Sequence, residues 1–283
     1  MSQFSTEAEA INWYDAQERV LTKEFLETIP WHDVKNYPIS SEFIPIVTYM
    51  RDVERLTDYY YRYLLKTPTG HDYYVRRFID KWSVEEILHA DLLNRFLEEA
   101  GVPVSKNWYE RVKNQIPLST RFKDSVTKII SHGVGKNFCA VHMTWGSIQE
   151  LSTLNGYKRL WEKAKHPVLE YILRGIAREE AVHAFFYWNL ARLKLERSTV
   201  AQKLSRYIIQ NFWLPIGQSE KREPNTNYLI RTLFSGIEGL DVVDKNINKR
   251  LGQLPGFSGI KKVTEHISEV ACSNFFNRGI LST

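Results

Sequence analysis

Two Glu-x-x-His motifs, Glu86–His89 and Glu180–His183, are the residues of this 283-residue chain whose types and spacing could do chemistry. Side chains at i and i+3 share one face of a helix, so each pair can present a carboxylate and an imidazole to one ion. A single Glu-x-x-His arises often by chance on solvated helices. Here each motif follows another glutamate by about one helical hairpin: Glu54 precedes Glu86 by 32 residues, and Glu150 precedes Glu180 by 30. The order Glu, Glu-x-x-His, Glu, Glu-x-x-His is the inward-pointing ligand set of bundles that hold two iron or two manganese ions. Carboxylate oxygens suit hard, oxidisable iron, with manganese as the other candidate, and one imidazole per ion leaves positions open for oxygen chemistry. Zinc more often takes additional nitrogen or sulfur ligands in a smaller shell.

Four helical patterns must position these groups. One runs Phe43, Val47, Met50, Glu54, Thr57, Tyr61, Leu64, and a second Ile79, Trp82, Glu86, His89, Leu93, Phe96. The third runs Met143, Ser147, Glu150, Thr153, Tyr157, Leu160, and the fourth Leu169, Ile172, Ile176, Glu180, His183, Tyr187, Leu190. Each is a bundle-facing stripe interrupted at mid-helix by ionisable groups. Burying an unpaired carboxylate costs several kcal/mol, so four together require a compensating cation. Both motifs read Glu-Glu-x-x-His, and metal-bound histidines usually donate their other ring N–H to a carboxylate. Glu85 and Glu179 are therefore candidates for those acceptors, crosswise between helices; the competing reading is two exposed helix charges.

The patterns predict helices at about 41–66, 71–100, 119–131, 137–164, 166–195, 199–212, 226–251 and 260–276, within the two to four residues by which such boundaries shift. Glycine and proline are sparse and mark the ends of the long patterns, and alternating hairpin patterns are rare. The expectation is an all-α fold in a single domain over 1–283. Its metal-binding core covers about 41–195, and C-terminal helices at about 199–276 pack on it. Two cysteines, Cys139 and Cys272, make no disulfide framework. The polar N-terminus is unlike a signal peptide. No apolar run approaches the roughly 20 residues that span a bilayer. A cytoplasmic protein without a membrane span is expected. The net charge of +5 is spread along the chain, and with no recognised motif beside it, it argues against nucleic acid as a partner.

Around the ligands the sequence is similar to a known family. The segment Trp82-Ser-Val-Glu-Glu-Ile-Leu-His-Ala-Asp-Leu-Leu-Asn-Arg-Phe-Leu97 resembles the second metal helix of the soluble acyl-acyl carrier protein desaturases. Ile148-Gln-Glu-Leu-Ser-Thr153 resembles that family's Phe-Gln-Glu-x-x-Thr, and Ala177-Arg-Glu-Glu-Ala-Val-His183 its Ala-Asp-Glu-x-x-His. Glu54-Arg-Leu-Thr-Asp-Tyr59 is similar to its first-ligand helix. The resemblance runs over about 41–195. It implies a ferritin-like di-iron helical bundle with additional helices, usually a homodimer, with two irons on Glu54, Glu86, His89, Glu150, Glu180 and His183. It also implies a dioxygen-dependent reaction with a ferredoxin-type electron donor, in which a chain carried on acyl carrier protein gains a cis double bond. Thr153 matches the family threonine at the oxygen-binding face, placed to hydrogen-bond an oxygen species or relay a proton. Ala90 stands where the family has glycine and Glu179 where it has aspartate, and the stretch from His89 to Glu150 is longer.

Related di-iron sites hydroxylate or oxidise amines, so a di-iron hydroxylase or N-oxygenase acting on a carrier-bound intermediate is the alternative. A non-catalytic ferritin-like iron protein is a third reading, although its usual chain is shorter. An acidic carrier would need a basic landing surface, for which Lys106, Arg111, Lys113, Arg121, Lys123 and Lys128 are candidates by clustering. His142, eight residues before Glu150, is expected beside the ligand stripe. Trp82, one turn before Glu86, is placed either to pack against the site or to pass electrons.

Overall fold

The computed structural model describes residues 4–221 and 223–278; the side chains at 121–126 and 274–278 lie outside that description. Among the described residues there is no strand. The chain begins with α1 (Glu7–Ala16) and α2 (Lys23–Thr28), followed by a 3₁₀ turn at Trp31–Asn36. Next come α3 (Ile44–Arg55), α4 (Thr57–Leu64), α5 (Pro68–His71) and α6 (Tyr73–Glu99). The middle holds α7 (Trp108–Asn114), α8 (Leu118–Val134), α9 (Asn137–Ala164) and α10 (Pro167–Glu196). Then follow α11 (Thr199–Phe212), α12 (Gln218–Lys221), α13 (Glu223–Phe234), α14 (Gly236–Val243), α15 (Lys249–Leu251) and α16 (Lys262–Arg278), with a π-helical stretch at Asp244–Asn248.

Two helical hairpins make the centre of the bundle: α3 lies along α6, and α9 lies along α10. Local sequence sets their ends. Asp72 caps α6 by accepting from the Val75 N–H, and Pro167 occupies the first turn of α10, where a missing N–H costs nothing. The stripe residues point inward as their spacing requires. All are buried except Tyr61, which reaches Asp80, and the half-buried Thr153. One continuous apolar core runs from Ile11 and Tyr14 in α1, through the four long helices, to Phe257 and Val263 near the C-terminus. The C-terminal helices close one side: α11 packs on α9, and α16 on α13 and α14.

Several elements depart from the expected pattern, among them α2 and α7, which lie where no helix was expected. The 41–66 helix is broken at Leu56, because Leu56 is drawn into a separate buried cluster with Val112 and Ile116. The 226–251 helix is interrupted at Ser235 and loosened into the π-helical stretch. The N-terminal segment, for which no helix was expected, folds as α1. Its start is fixed by Thr6, whose Oγ1 accepts from the Glu9 N–H, while the Glu9 carboxylate accepts from the Ser5 N–H.

Candidate metal centre

The four long helices bring all six expected ligands to one buried place: Glu54 from α3, Glu86 and His89 from α6, Glu150 from α9, and Glu180 and His183 from α10. Their donor atoms form two overlapping sets. Atoms of Glu54, Glu86, His89 and Glu180 lie within 4.8 Å of one another, and so do atoms of Glu86, Glu150, Glu180 and His183. Glu86 and Glu180 belong to both sets. Each histidine turns Nδ1 inward. His89 Nδ1 is 3.3 Å from Glu86 and 3.1 Å from Glu180, and His183 Nδ1 is 3.0 Å from Glu86 and 3.7 Å from Glu150.

Whether these residues suit a cation is decided by their unused donors. His89 Nδ1, His183 Nδ1, Glu86 Oε1 and both carboxylate oxygens of Glu180 are buried without a hydrogen-bond partner among the described residues. Folded proteins rarely leave buried polar atoms unpaired, so five converging on one point need an external partner. Lone pairs of two imidazoles and four carboxylates are the donors that hard transition ions take. The cluster could hold metal.

Electrostatics say the same. Burial raises the Glu54 carboxyl well above its usual range, and the charge of Glu86 adds to the rise. Burial and then Glu180 do the same to Glu150. Burial opposes charge on both histidines, yet the carboxylates around them win and raise both pKa values. Burial opposes charge on Glu86 too, but hydrogen bonds with Glu54, His183 and His89 hold its pKa low. Glu54 and Glu150 keep their protons as acids short of positive charge do.

The outward nitrogens of the histidines are held crosswise. His183 Nε2 on α10 lies 2.7 Å from Glu85 Oε2 on α6, while His89 Nε2 on α6 lies 3.1 Å from Glu179 Oε2 on α10. This is the arrangement that the doubled Glu-Glu anticipated, and neither glutamate is a solvated charge. Burial works to raise the Glu85 pKa, but bonds from His183, Tyr14 and Arg19 hold it down at about 2. For Glu179 the same contest ends in a lowered pKa through His89 and the Leu21 N–H.

Sequence reasoning missed several groups at this centre. The Tyr157 hydroxyl, one residue type on an expected stripe, donates to Glu54. Tyr14 and Arg19 reach Glu85 from the N-terminal segment, and the Val20 and Leu21 N–H groups reach Glu179. The Thr6-x-x-Glu9 cap and the Ala10, Ile11, Tyr14 spacing were the available signals for α1; no local signal names its partners.

Aromatic rings cover one side of the site. Phe78 stacks on Phe186 at 4.2 Å between centroids and meets Tyr187 edge-on at 4.8 Å, with Trp82 beyond it. Trp82 packs into this wall. The His142 ring meets Tyr187 edge-on at 5.8 Å, and burial depresses its pKa to about 3, so it sits there neutral. Thr153 lies one turn beyond Glu150 on α9. In the basic stretch, Lys106 and Arg111 are exposed, Lys113 is paired with Glu110 at 2.8 Å, and Lys128 is half-buried. The side chains of Arg121 and Lys123 lie outside the described residues.

No helix among the described residues is long and apolar enough to cross a membrane. No curated protein matches the chain. A family profile does: that of the fatty acid desaturases matches residues 61–215, more than half of the chain, and takes in Glu86, His89, Glu150, Thr153, Glu180 and His183 while leaving Glu54 and α1 outside. With that match over the helices that carry the buried Glu–His cluster, the chain belongs to the fatty acid desaturase family, and so to the oxidoreductases.

Proposed function

We propose that the chain holds two iron ions between Glu54, Glu86, His89, Glu150, Glu180 and His183, and introduces a cis double bond into an acyl chain carried on acyl carrier protein. The observation that carries this reading is the convergence of unpartnered buried donor atoms in the helices matched to a desaturase family. Four carboxylates carry four negative charges, which two divalent cations balance. Iron, when bound, supplies dioxygen chemistry, with electrons from a ferredoxin-type protein.

The chain's own residues divide the work. Glu86 and Glu180, which belong to both sets, would help hold both ions, whereas Glu54 and Glu150 would each serve one. The Tyr157 hydroxyl fixes the orientation of Glu54 by donating to it. Glu85 and Glu179 hold the rings of His183 and His89 so that Nδ1 faces inward. The wall of Phe78, Phe186 and Tyr187 keeps water from that side. Thr153 is assigned the protein's proton-handling hydroxyl, at Oγ1. Exposed Lys106 and Arg111 are assigned to docking of the acidic carrier. Reversing both charges should raise KM and flatten its dependence on salt, measured by steady-state kinetics across ionic strength.

The direct test is reconstitution: anaerobic loading with ferrous iron, then reductase, ferredoxin, dioxygen and a set of acyl carriers, with products weighed by mass spectrometry. Loss of two hydrogens is expected. Gain of one oxygen atom would replace desaturation by hydroxylation, and fewer than about one iron per chain would overturn the metal assignment.

A further inference from the structure

The centre is held from outside by a part of the chain that the family profile does not reach. Helix α1 packs against α6 and α10 and is pinned at both ends. Glu7 accepts from Lys194 at 3.0 Å and Arg197 at 2.7 Å on and just beyond the last turn of α10, while Asp15 pairs with Lys81 at 2.5 Å and with Arg77 on α6. From there the chain delivers four donors to the two outer carboxylates. The Tyr14 hydroxyl donates to Glu85 Oε2 at 2.7 Å, and Arg19 Nε donates to Glu85 Oε1. The Val20 and Leu21 N–H groups both donate to Glu179 Oε1 at 3.0 Å. Tyr14 is fully buried, with the Arg19 guanidinium 4.4 Å from its ring centre. Arg19 Nη1 also bonds the carbonyls of Tyr14 and Gln17, which fixes the turn that carries it. Gly175 makes room for this path on α10, since a Cβ there would lie 2.7 Å from Phe25 and 2.9 Å from Leu21.

We propose that residues 14–21 are a positioning strap for the metal centre, with Tyr14 and Arg19 acting through Glu85 on His183, and the Val20–Leu21 backbone acting through Glu179 on His89. This rests on the two-iron reading above. The strap also makes the two halves unlike. Glu85 is hydrogen-bonded by a guanidinium and a phenol, whereas from the strap Glu179 accepts only from neutral amides and feels the Arg19 charge only through space, so the two carboxylates are loaded differently as acceptors for their histidines. Two positions that match in ligand type then differ in donor strength, and the difference originates in a segment far from either motif in sequence.

The test uses the full chain loaded anaerobically with ferrous iron, read by Mössbauer spectroscopy and by the rate of iron loss to a ferrous chelator. Tyr14→Phe removes one hydroxyl and keeps the ring. The expected result is that one iron subsite changes its signal while the other keeps it, and that the changed iron leaves roughly tenfold faster. Arg19→Gln, on a partly exposed side chain, should alter the same subsite, and stands in if Tyr14→Phe does not fold. Glu85→Gln should loosen that iron more, and adding Tyr14→Phe to it should change nothing further. Spectra and release rates equal to wild type in both single variants would overturn the strap, as would additive effects in the double variant. Wild-type chain that takes up no iron overturns the metal reading and the strap with it, so the two failures are told apart.

Discussion

Glu180 and Asp52 are both acids buried in the bundle, and the contrast between them shows what singles out a candidate metal ligand. Asp52 is 2% exposed, yet Arg51 holds one of its oxygens at 2.6 Å and Lys221 takes the other, so its charge is matched within the protein. Glu180 is 0% exposed, and neither of its oxygens has a hydrogen-bond partner among the described residues. Burial alone does not distinguish the two; the source of the compensating charge does. Without metal, Glu180 shares His89, 3.1 Å away, and His183 with three other carboxylates, and an under-compensated buried charge costs several kcal/mol. Glu180→Gln is therefore expected to raise the melting temperature of the metal-free protein and to diminish the further rise that ferrous iron gives wild type. Calorimetry with and without iron checks both signs, and a fall in the metal-free value would contradict the assignment. At this scale the sequence was most readable where the pattern was repeated: the doubled glutamates of the two motifs announced the acceptors for the histidines. Tyr14 and Arg19 were not readable, because each bonds a residue 71 or 66 positions away and nothing local to them refers to it.

Among the elements, the long helices were legible because the apolar residues of each stripe recur every three or four positions. The expected 137–164 and 199–212 coincide with α9 and α11, and 166–195 differs from α10 by one residue at each end. The break at Leu56 was hidden, since the residues that draw it in, Val112 and Ile116, sit in a stretch whose sequence is dominated by basic charge. Helix α1 was hidden for another reason: its ten residues bury only one narrow face, which is too short a pattern to stand out. The contact between α9 and α10 turns on Gly146, one turn before Glu150. A Cβ there would lie 2.2 Å from the Tyr187 ring, a rigid neighbour in a packed wall. Gly146→Ala is expected to destabilise by about 1–3 kcal/mol and to lower iron uptake, because it pushes Glu150 away from α10. Gly156, also on α9, is the comparison: its Cβ would meet only the Met50 methyl at 3.2 Å, the end of a flexible side chain. Thermal melts of the two alanine variants should separate them clearly, and equal losses would show that Tyr187 yields.

Taken whole, the molecule is a set of long helices whose buried glutamates and histidines meet only when distant parts of the chain are already together. The crosswise histidine–glutamate pairs join residues 98 and 90 positions apart, and the Leu21–Glu179 bond closes 158. Closing such loops is slow relative to forming the helices themselves, since chain entropy is surrendered before these contacts return anything. The donor set is consequently one of the last features to be assembled on the way to the native state. An ion that binds it recognises the finished protein and finds little to hold in the transition state. Its stabilisation belongs on the unfolding side of the barrier. In stopped-flow experiments ferrous iron should slow unfolding in denaturant and leave the refolding rate of the same chain unchanged. Faster refolding with iron would mean that the ligands meet early, before the crosswise pairs close. With iron bound as proposed, the centre would serve as a kinetic latch, and the persistence of the native state would become a function of how much iron surrounds it.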